Sequence, residues 1–219
     1  MYTIAIDGPA GAGKSTVAKL LAKKLNIKYI NTGAMYRAIT LLCLKKNIDI
    51  NNKKRIIELV HNSKIIVDDD KIILNNKDLS EEIRSSKVDA LVSKVASIKE
   101  VRYELVNKQK KMAQNTSVVM EGRDIATKVL PDADFKFFIT ASKNARAERR
   151  YKDLKKNGEK ISFNKVLNQI KKRDEFDKTR KYSPLIQAKE AIEINTTSLN
   201  VDEVMNIIIN KIQGDNTYG

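Results

Sequence analysis

The sequence predicts an α/β fold, a parallel sheet covered by helices on both faces. Three observations carry that expectation. Short, wholly apolar runs alternate with longer amphipathic segments along most of the 219 residues, the pattern of strands buried on both sides and joined by crossover helices. The first apolar run, residues 2–6, passes through a glycine-rich turn straight into the first amphipathic segment, residues 15–25. Hydrophobic residues make up 42% of the chain, enough for a core of that kind.

Taken in order, residues 2–6 read as a buried strand. Helix 15–25 follows, with Val17, Ala18, Leu21 and Leu25 on its apolar face. Residues 28–30 form a short strand and Asn31-Thr32-Gly33 a polar turn. Helix 34–46 comes next, with Met35, Ala38, Ile39, Leu42 and Cys43 on one side, then a helix over 53–62. Residues 64–67 and 71–74, separated by Asp68-Asp69-Asp70, read as a hairpin, because a three-residue link cannot cross over a sheet. Ser80-Glu81-Glu82-Ile83 opens another helical turn, and helical patterns run from 86 to 114. Residues 116–120 and 135–139 are strands. Residues 141–157 and 163–178 are charged helices flanking Gly158. A strand over 191–194 and a helix over 201–212, with Val201, Val204, Ile208 and Ile212 at helical spacing, close the fold.

Composition narrows the function classes. The formal charge is +15, yet the basic residues are scattered in pairs, with no basic arm or tail. They read as solvated helix faces, and no nucleic-acid partner is expected. No apolar run approaches the ~18 residues of a membrane span, and the first strand begins too early to leave room for a leader. A cytoplasmic monomer without membrane partners is expected. The single cysteine, Cys43, sits among leucines and reads as a core residue. His61 is the only histidine, which argues against a Ser-His-Asp triad or a multi-histidine metal site. The chemistry then falls to lysine, arginine, carboxylates and backbone. Phosphoryl transfer runs on those groups.

Residues 8–15, Gly8-Pro9-Ala10-Gly11-Ala12-Gly13-Lys14-Ser15, match G-x-x-x-x-G-K-[ST] at every position, with Thr16 next. Strand, turn and helix stand in the order this pattern requires. Backbone N–H groups and the positive helix end would converge on a polyphosphate. Lys14 would reach the β- and γ-phosphates and the Ser15 hydroxyl would take a place on Mg²⁺. The spacing predicts binding of a nucleoside triphosphate, with ATP and Mg²⁺ as the expected pair.

Arginines mark a second site. Lysine occurs 32 times and arginine ten, so a retained arginine hints at a place that needs the planar fork. Asn31-Thr32-Gly33-Ala34-Met35-Tyr36-Arg37 follows the second strand, and Glu121-Gly122-Arg123-Asp124 follows the strand ending at Met120. A helix cap at Thr32 would explain the first cluster alone; the second cluster turns the pair into a candidate site for another phosphorylated group.

Here the chain resembles the nucleoside monophosphate kinases and, within them, the cytidylate kinases. The matching segments are IDGPAGAGKST, NTGAMYRA, ILNNKDLSEEIRSSKVDALVSKVAS, VRYELVNKQ, EGRDIATKVLPDA, RAERR, KKRDEFDKTRKYSPL and INTTSLNVDEV. The resemblance implies a P-loop NTPase-type core over about residues 1–28, 103–147 and 180–213. It adds a monophosphate-binding insert of hairpin and helices within about 29–102, and a helical lid over about 148–179. It implies that Arg37, Arg123 and Arg180 hold the monophosphate, with Thr32 and Tyr36 beside it. Ser93, Arg102 and Asp124 would read cytosine, and Arg173 and Asp177 would hold the sugar. Arg146, Arg149 and Arg150 would lie over the ATP phosphates, and Asn195-Thr196-Thr197 near the adenine. Asn31, Ala126 and Asn195 depart from the family's usual Asp, Gly and Asp. The reaction implied is ATP plus CMP or dCMP. Another small acceptor such as UMP or shikimate, or a nucleotide-regulated nucleic-acid-binding protein, stays as an alternative.

Overall fold

The computed structural model describes residues 2–69, 71–156 and 158–215. Five parallel strands form the main sheet: β1 (Thr3–Asp7), β2 (Lys28–Asn31), β6 (Val118–Glu121), β7 (Phe135–Thr140) and β8 (Ile192–Asn195). Their spatial order is β2-β6-β1-β7-β8. The crossover after β1 runs to β2 on one side and the connection after β6 runs to β7 on the other, which opens a crevice at the carboxyl ends of β1 and β6. Ile4, Ala5 and Ile6 of β1 are fully buried, as a central strand covered on both faces requires.

The helices are α1 (Lys14–Leu25), α2 (Thr32–Lys45), α3 (Lys53–His61), α4 (Ser86–Ala96), α5 (Lys99–Ala113), α6 (Lys143–Lys156), α7 (Phe163–Thr179) and α8 (Val201–Asp215). One core joins α1 and α8 to one face of the sheet, through Val17, Leu21, Phe137, Val204 and Ile208. The other face packs on α2, α4 and α5 through Met35, Ile39, Val92 and Leu105. That second core runs on into a small antiparallel sheet of β3 (Ile65–Asp68), β4 (Lys71–Leu74) and β5 (Lys77–Asp78). A third seam, Ala147, Leu154, Val166 and Ile170, joins α6 to α7. Among the described residues no helix is long and apolar enough to cross a membrane.

The predicted hairpin pairs in the register Ile65↔Leu74 to Asp68↔Lys71; Asp70 of its turn lies outside the described residues, as does Asn157 at the predicted end of α6. The helical patterns expected over 86–114 resolve into two helices, α4 and α5. They break at Ser97 and Ile98, where the Ser97 hydroxyl donates to Lys94 O (2.7 Å). β5 has no counterpart in the prediction. Cys43 is fully buried, and burial pushes its thiol up to about 11, as suits a core position. His61 is exposed.

Candidate active site

At the carboxyl end of β1 the chain turns through residues 8–13. Gly8 has φ +146°, and a Cβ there would fall 1.9 Å from Ile139 O of β7; no other residue fits without moving the backbone. Gly13 caps α1 in the left-handed region. No side chain caps that helix start, and its first turn holds no acidic residue. The N–H groups of the first turn therefore point to the loop, together with the positive helix end. Ser15 and Thr16 are exposed there.

Lys14 folds back, buried, and its Nζ donates to Pro9 O at 2.8 Å. Burial drives its ammonium down to about 7; the Arg123 guanidinium pushes the same way, while Glu121 and Asp7 oppose. Behind the loop, Thr196 Oγ1 donates to Ala12 O (3.1 Å). Arg149 Nη1 donates to Thr196 Oγ1 (3.0 Å), and so α6 is tied to the loop through one threonine.

A cleft opens beside this loop. Its walls are the start of α2 (Thr32, Gly33, Tyr36, Arg37), α4 (Val92, Ser93, Ala96), Arg102 of α5, the turn after β6 (Gly122, Arg123, Asp124), and Arg173, Asp177 and Arg180 at the end of α7. All ten side chains singled out for substrate binding in the sequence meet here. α2 begins at Thr32 because Asn31 Oδ1 accepts from Ala34 N (3.0 Å). The cap expected of Thr32 thus belongs to Asn31, whose amide oxygen serves where the family has a carboxylate. Thr32 Oγ1 instead donates to Glu121 O (2.8 Å). Gly122 packs so closely that a Cβ would lie 2.7 Å from Thr32 Oγ1 and from Ile125 Cδ1.

Charges in the cleft hold one another. Arg102 Nη2 donates to Asp124 Oδ2 at 2.5 Å, with both side chains buried. Arg102 also donates to Ala96 O (2.9 Å), and its guanidinium stacks over the Tyr36 ring at 5.2 Å. Asp177 is a hub: it accepts from Arg123 Nε (3.1 Å), with Arg180 at 3.6 Å and Arg173 at 4.0 Å. Burial pushes the Asp177 carboxyl up, but the three guanidiniums outweigh it, so it stays below the ordinary carboxylate range. Burial and then Arg123 lower the Arg173 guanidinium to about 10, and burial lifts the Tyr36 hydroxyl to about 12. Five arginines against two aspartates leave the lining cationic. Tyr36 Oη, Arg102 Nε, Arg173 Nε and Arg180 Nη2 are buried there without a hydrogen-bond partner. Such groups suit an anionic, multiply hydrogen-bonding guest.

Arg146 departs from expectation. Its guanidinium is buried, doubly bonded to Asp174 (2.9 and 2.6 Å) and bonded to Ala10 O (3.1 Å) and Ala141 O (3.0 Å). It braces α6 against α7 and the loop, with four of its five N–H donors already used. Arg150 pairs with Asp89 of α4. Asp7 escaped the sequence reading. Buried at the end of β1, it accepts from Ile125 N (2.9 Å) and Ala126 N (2.8 Å). It thereby fixes a wide turn over Ile125–Val129, closed by i→i+5 bonds such as Leu130 N to Ile125 O (2.7 Å). Burial raises its carboxyl to about 6. Its place one residue before the glycine loop was the available signal.

A parallel sheet with a phosphate loop after its central strand, beside a cationic cleft, defines a phosphate-loop kinase of the α/β class. Solved structures agree at the level of fold: an uncharacterized protein from Eubacterium ventriosum has a TM-score of 0.53 at 18% identity, covering 97% of this chain and 98% of that one. A shikimate kinase from Bacteroides thetaiotaomicron has a TM-score of 0.50 at 12% identity, covering 97% and 98%. Residues 4–214 match the family described as Cytidylate kinase. The chain is 53% identical over 216 residues to the cytidylate kinase of Caldanaerobacter subterraneus subsp. tengcongensis (99% of this chain, 96% of the relative). It is 49% identical over 209 residues to that of Clostridioides difficile (95% and 97%). The chain belongs to the cytidylate kinase family, and with it to the ATP-dependent kinases of CMP and dCMP.

Proposed function

We propose that the chain transfers the γ-phosphoryl group of ATP to CMP or dCMP by positioning and charge neutralisation, without a general base. The observation that carries this reading is the cationic cleft beside the phosphate loop, with its three-arginine excess. A nucleoside monophosphate is largely dianionic at neutral pH, the second pKa of a phosphate ester being roughly 6. Its oxygen can bond to the γ-phosphorus without first losing a proton. As that bond forms, the bond from γ-phosphorus to the β–γ bridging oxygen breaks, and ADP leaves with the electron pair.

Arg37, Arg123 and Arg180 hold the acceptor phosphate, with Thr32 and Tyr36 at its side; the shared carboxylate of Asp177 keeps two of those guanidiniums turned the same way. Ser93, Arg102 and Asp124 read the base. Cytosine offers an N4–H₂ donor and N3 and O2 acceptors, and with Oδ2 of Asp124 engaged by Arg102 the other oxygen is offered to N4. Arg173 and Asp177 hold the sugar. Residues 8–16 hold the ATP phosphates, Lys14 swinging from Pro9 O to the β/γ oxygens, with Arg149 and Arg150 bearing on the group in flight.

Mg²⁺ fits as an ion bound largely by substrate. Among the described residues no trio of acidic, histidine or cysteine side chains forms a cage, and Ser15 stands exposed at the start of α1, matching an ion held by one hydroxyl, water and phosphates. When bound, the ion neutralises phosphate oxygens. Residues 148–179 form the lid and 29–102 the acceptor-binding region, over a core of 1–28, 103–147 and 180–213. The reading includes a cytoplasmic monomer.

An acceptor panel of CMP, dCMP, UMP, AMP and shikimate, run with ATP and Mg²⁺, tests the reading. CMP and dCMP should lead in kcat/KM. Preference for any other acceptor overturns it.

A further inference from the structure

Asp89 lies outside every role given above, yet two arginines of the site converge on it. It stands in the first turn of α4. Arg37 Nη1, from α2, comes to 2.5 Å of its Oδ1, and Arg150 Nη2, from α6, donates to its Oδ2. The carboxylate is 19% exposed, Arg37 24% and Arg150 39%. The same Nη1 of Arg37 donates to Ile83 O (3.1 Å), in the short turn Glu82–Arg84. Two anchors therefore meet at one nitrogen of its fork, and one of them is shared with α6.

Arg149 and Arg150 leave α6 about 100° apart. Arg149 goes to Thr196 beside the phosphate loop and Arg150 crosses to α4. The helix is thus tied to the phosphate-loop side by Arg146 and Arg149 and to the acceptor side by Arg150. Asp89 alone completes the second tie. Without its charge, Arg37 and Arg150 would be two like charges at one spot, and each would drift from the other.

We infer that Asp89 is a positioning residue: it sets Arg37 against the acceptor phosphate and registers helix α6 on the acceptor site through Arg150. The inference rests on the functional reading above. A purely structural role is the competing account, since an acidic residue in a first helical turn is favoured by the helix dipole. That role would alter stability and leave turnover untouched. An exposed-edge ion pair contributes little to stability, whereas small misplacement of a phosphate clamp is costly to rate.

The test is steady-state kinetics of wild type, Asp89→Asn and Asp89→Glu with CMP as varied acceptor, alongside thermal melts and ATP hydrolysis without acceptor. Asp89→Asn should lower kcat about tenfold and raise KM for CMP severalfold. KM for ATP should hold within about twofold, and Tm within about 4 °C. Hydrolysis per CDP formed should rise, because α6 is no longer registered on the acceptor. Asp89→Glu, which keeps the charge, should recover most of kcat and folds by the same criteria if Asp89→Asn does not. Wild-type kcat and KM in Asp89→Asn, or a Tm loss with unchanged kinetics, overturn the inference and leave the kinase reading standing. A wild-type enzyme inert toward CMP overturns both.

Discussion

The two halves of the site are made in different ways. The donor half is backbone: nine consecutive residues, a glycine that no side chain can replace at position 8, an uncapped helix start and one lysine. The half proposed for the acceptor is side chain: arginines and aspartates from α2, α5, the end of α7 and the turn after β6, with Arg102 and Arg123 held by carboxylates distant in sequence. Backbone donors come fixed by the fold and carry no net charge. Side-chain donors carry the charge, and the carboxylates beside them hold them in place. The donor half therefore stands or falls with one cation, while the acceptor half depends on geometry at many.

Removing that cation should have the largest effect. Lys14→Ala is expected to lower kcat about 10²–10³-fold while raising Tm, because a buried ammonium held near neutrality is an unfavourable guest in the folded loop. Activity within a few fold of wild type would put the donor half on the same footing as the acceptor half and end the contrast.

On the acceptor side geometry should matter more than charge. Arg123 is aimed through its Nε by Asp177. Arg123→Lys keeps the charge and loses the fork, so its kcat/KM for CMP should fall almost as far as that of Arg123→Ala, by about 10². A lysine variant with normal CMP kinetics would show that charge alone suffices.

Asp124→Asn sharpens the comparison at the base. A carboxylate accepts only, which suits cytosine N4–H₂ and opposes uracil O4, whereas an amide can present either end. The CMP/UMP ratio of kcat/KM should shrink by about tenfold, about 1.4 kcal/mol. Because Asp124 is paired with Arg102 and not with Arg123, an equal loss for both substrates would assign it to holding Arg102 alone.

The smallest effects are in stability against pH, and the two sides of β1 give opposite signs. Asp7 is raised from 3.8 to about 6 in the folded chain, so its contribution is full below pH 3.8 and lost as pH rises through 6. Lys14 is depressed from 10.5 to about 7, so its contribution is present above 10.5 and lost as pH falls through 7. Melts from pH 4 to 10 should show Asp7→Asn flattening the lower limb and Lys14→Met the upper. Unchanged slopes would mean that neither group titrates as buried.

The same contrast decides what could be read from the sequence. The phosphate loop is local, so its residues spell it out in order. The main strands and α1 are likewise set by apolar runs and periodicity, and the hairpin by a link too short to cross over. Arginines in a lysine-rich chain pointed to residues that line one cleft, but nothing local says that Asp177 collects three of them or that Arg146 is spent on Asp174. The turn at Ile125–Val129 depends on Asp7, 118 residues before Ile125. β5 is two exposed polar residues, Lys77 and Asp78, placed by pairing with β4 and by hydrogen bonds from Ser80 to Asp78. The break between α4 and α5 carries neither glycine nor proline. Such features are written in contacts rather than in composition.

The seam between α6 and α7 has a consequence of its own. Ala147, Leu154, Val166 and Ile170 pack on one another, with Tyr151 and Phe163 edge to face at 6.0 Å, and belong to neither core of the sheet. Helices that share so little apolar surface with the rest of a protein open as a separate cooperative unit, at lower free energy than the global transition. Amide exchange should then divide the chain in two, with the helical pair surrendering its protons well before β1 and β6. A protease meeting the folded enzyme should find its first cut there.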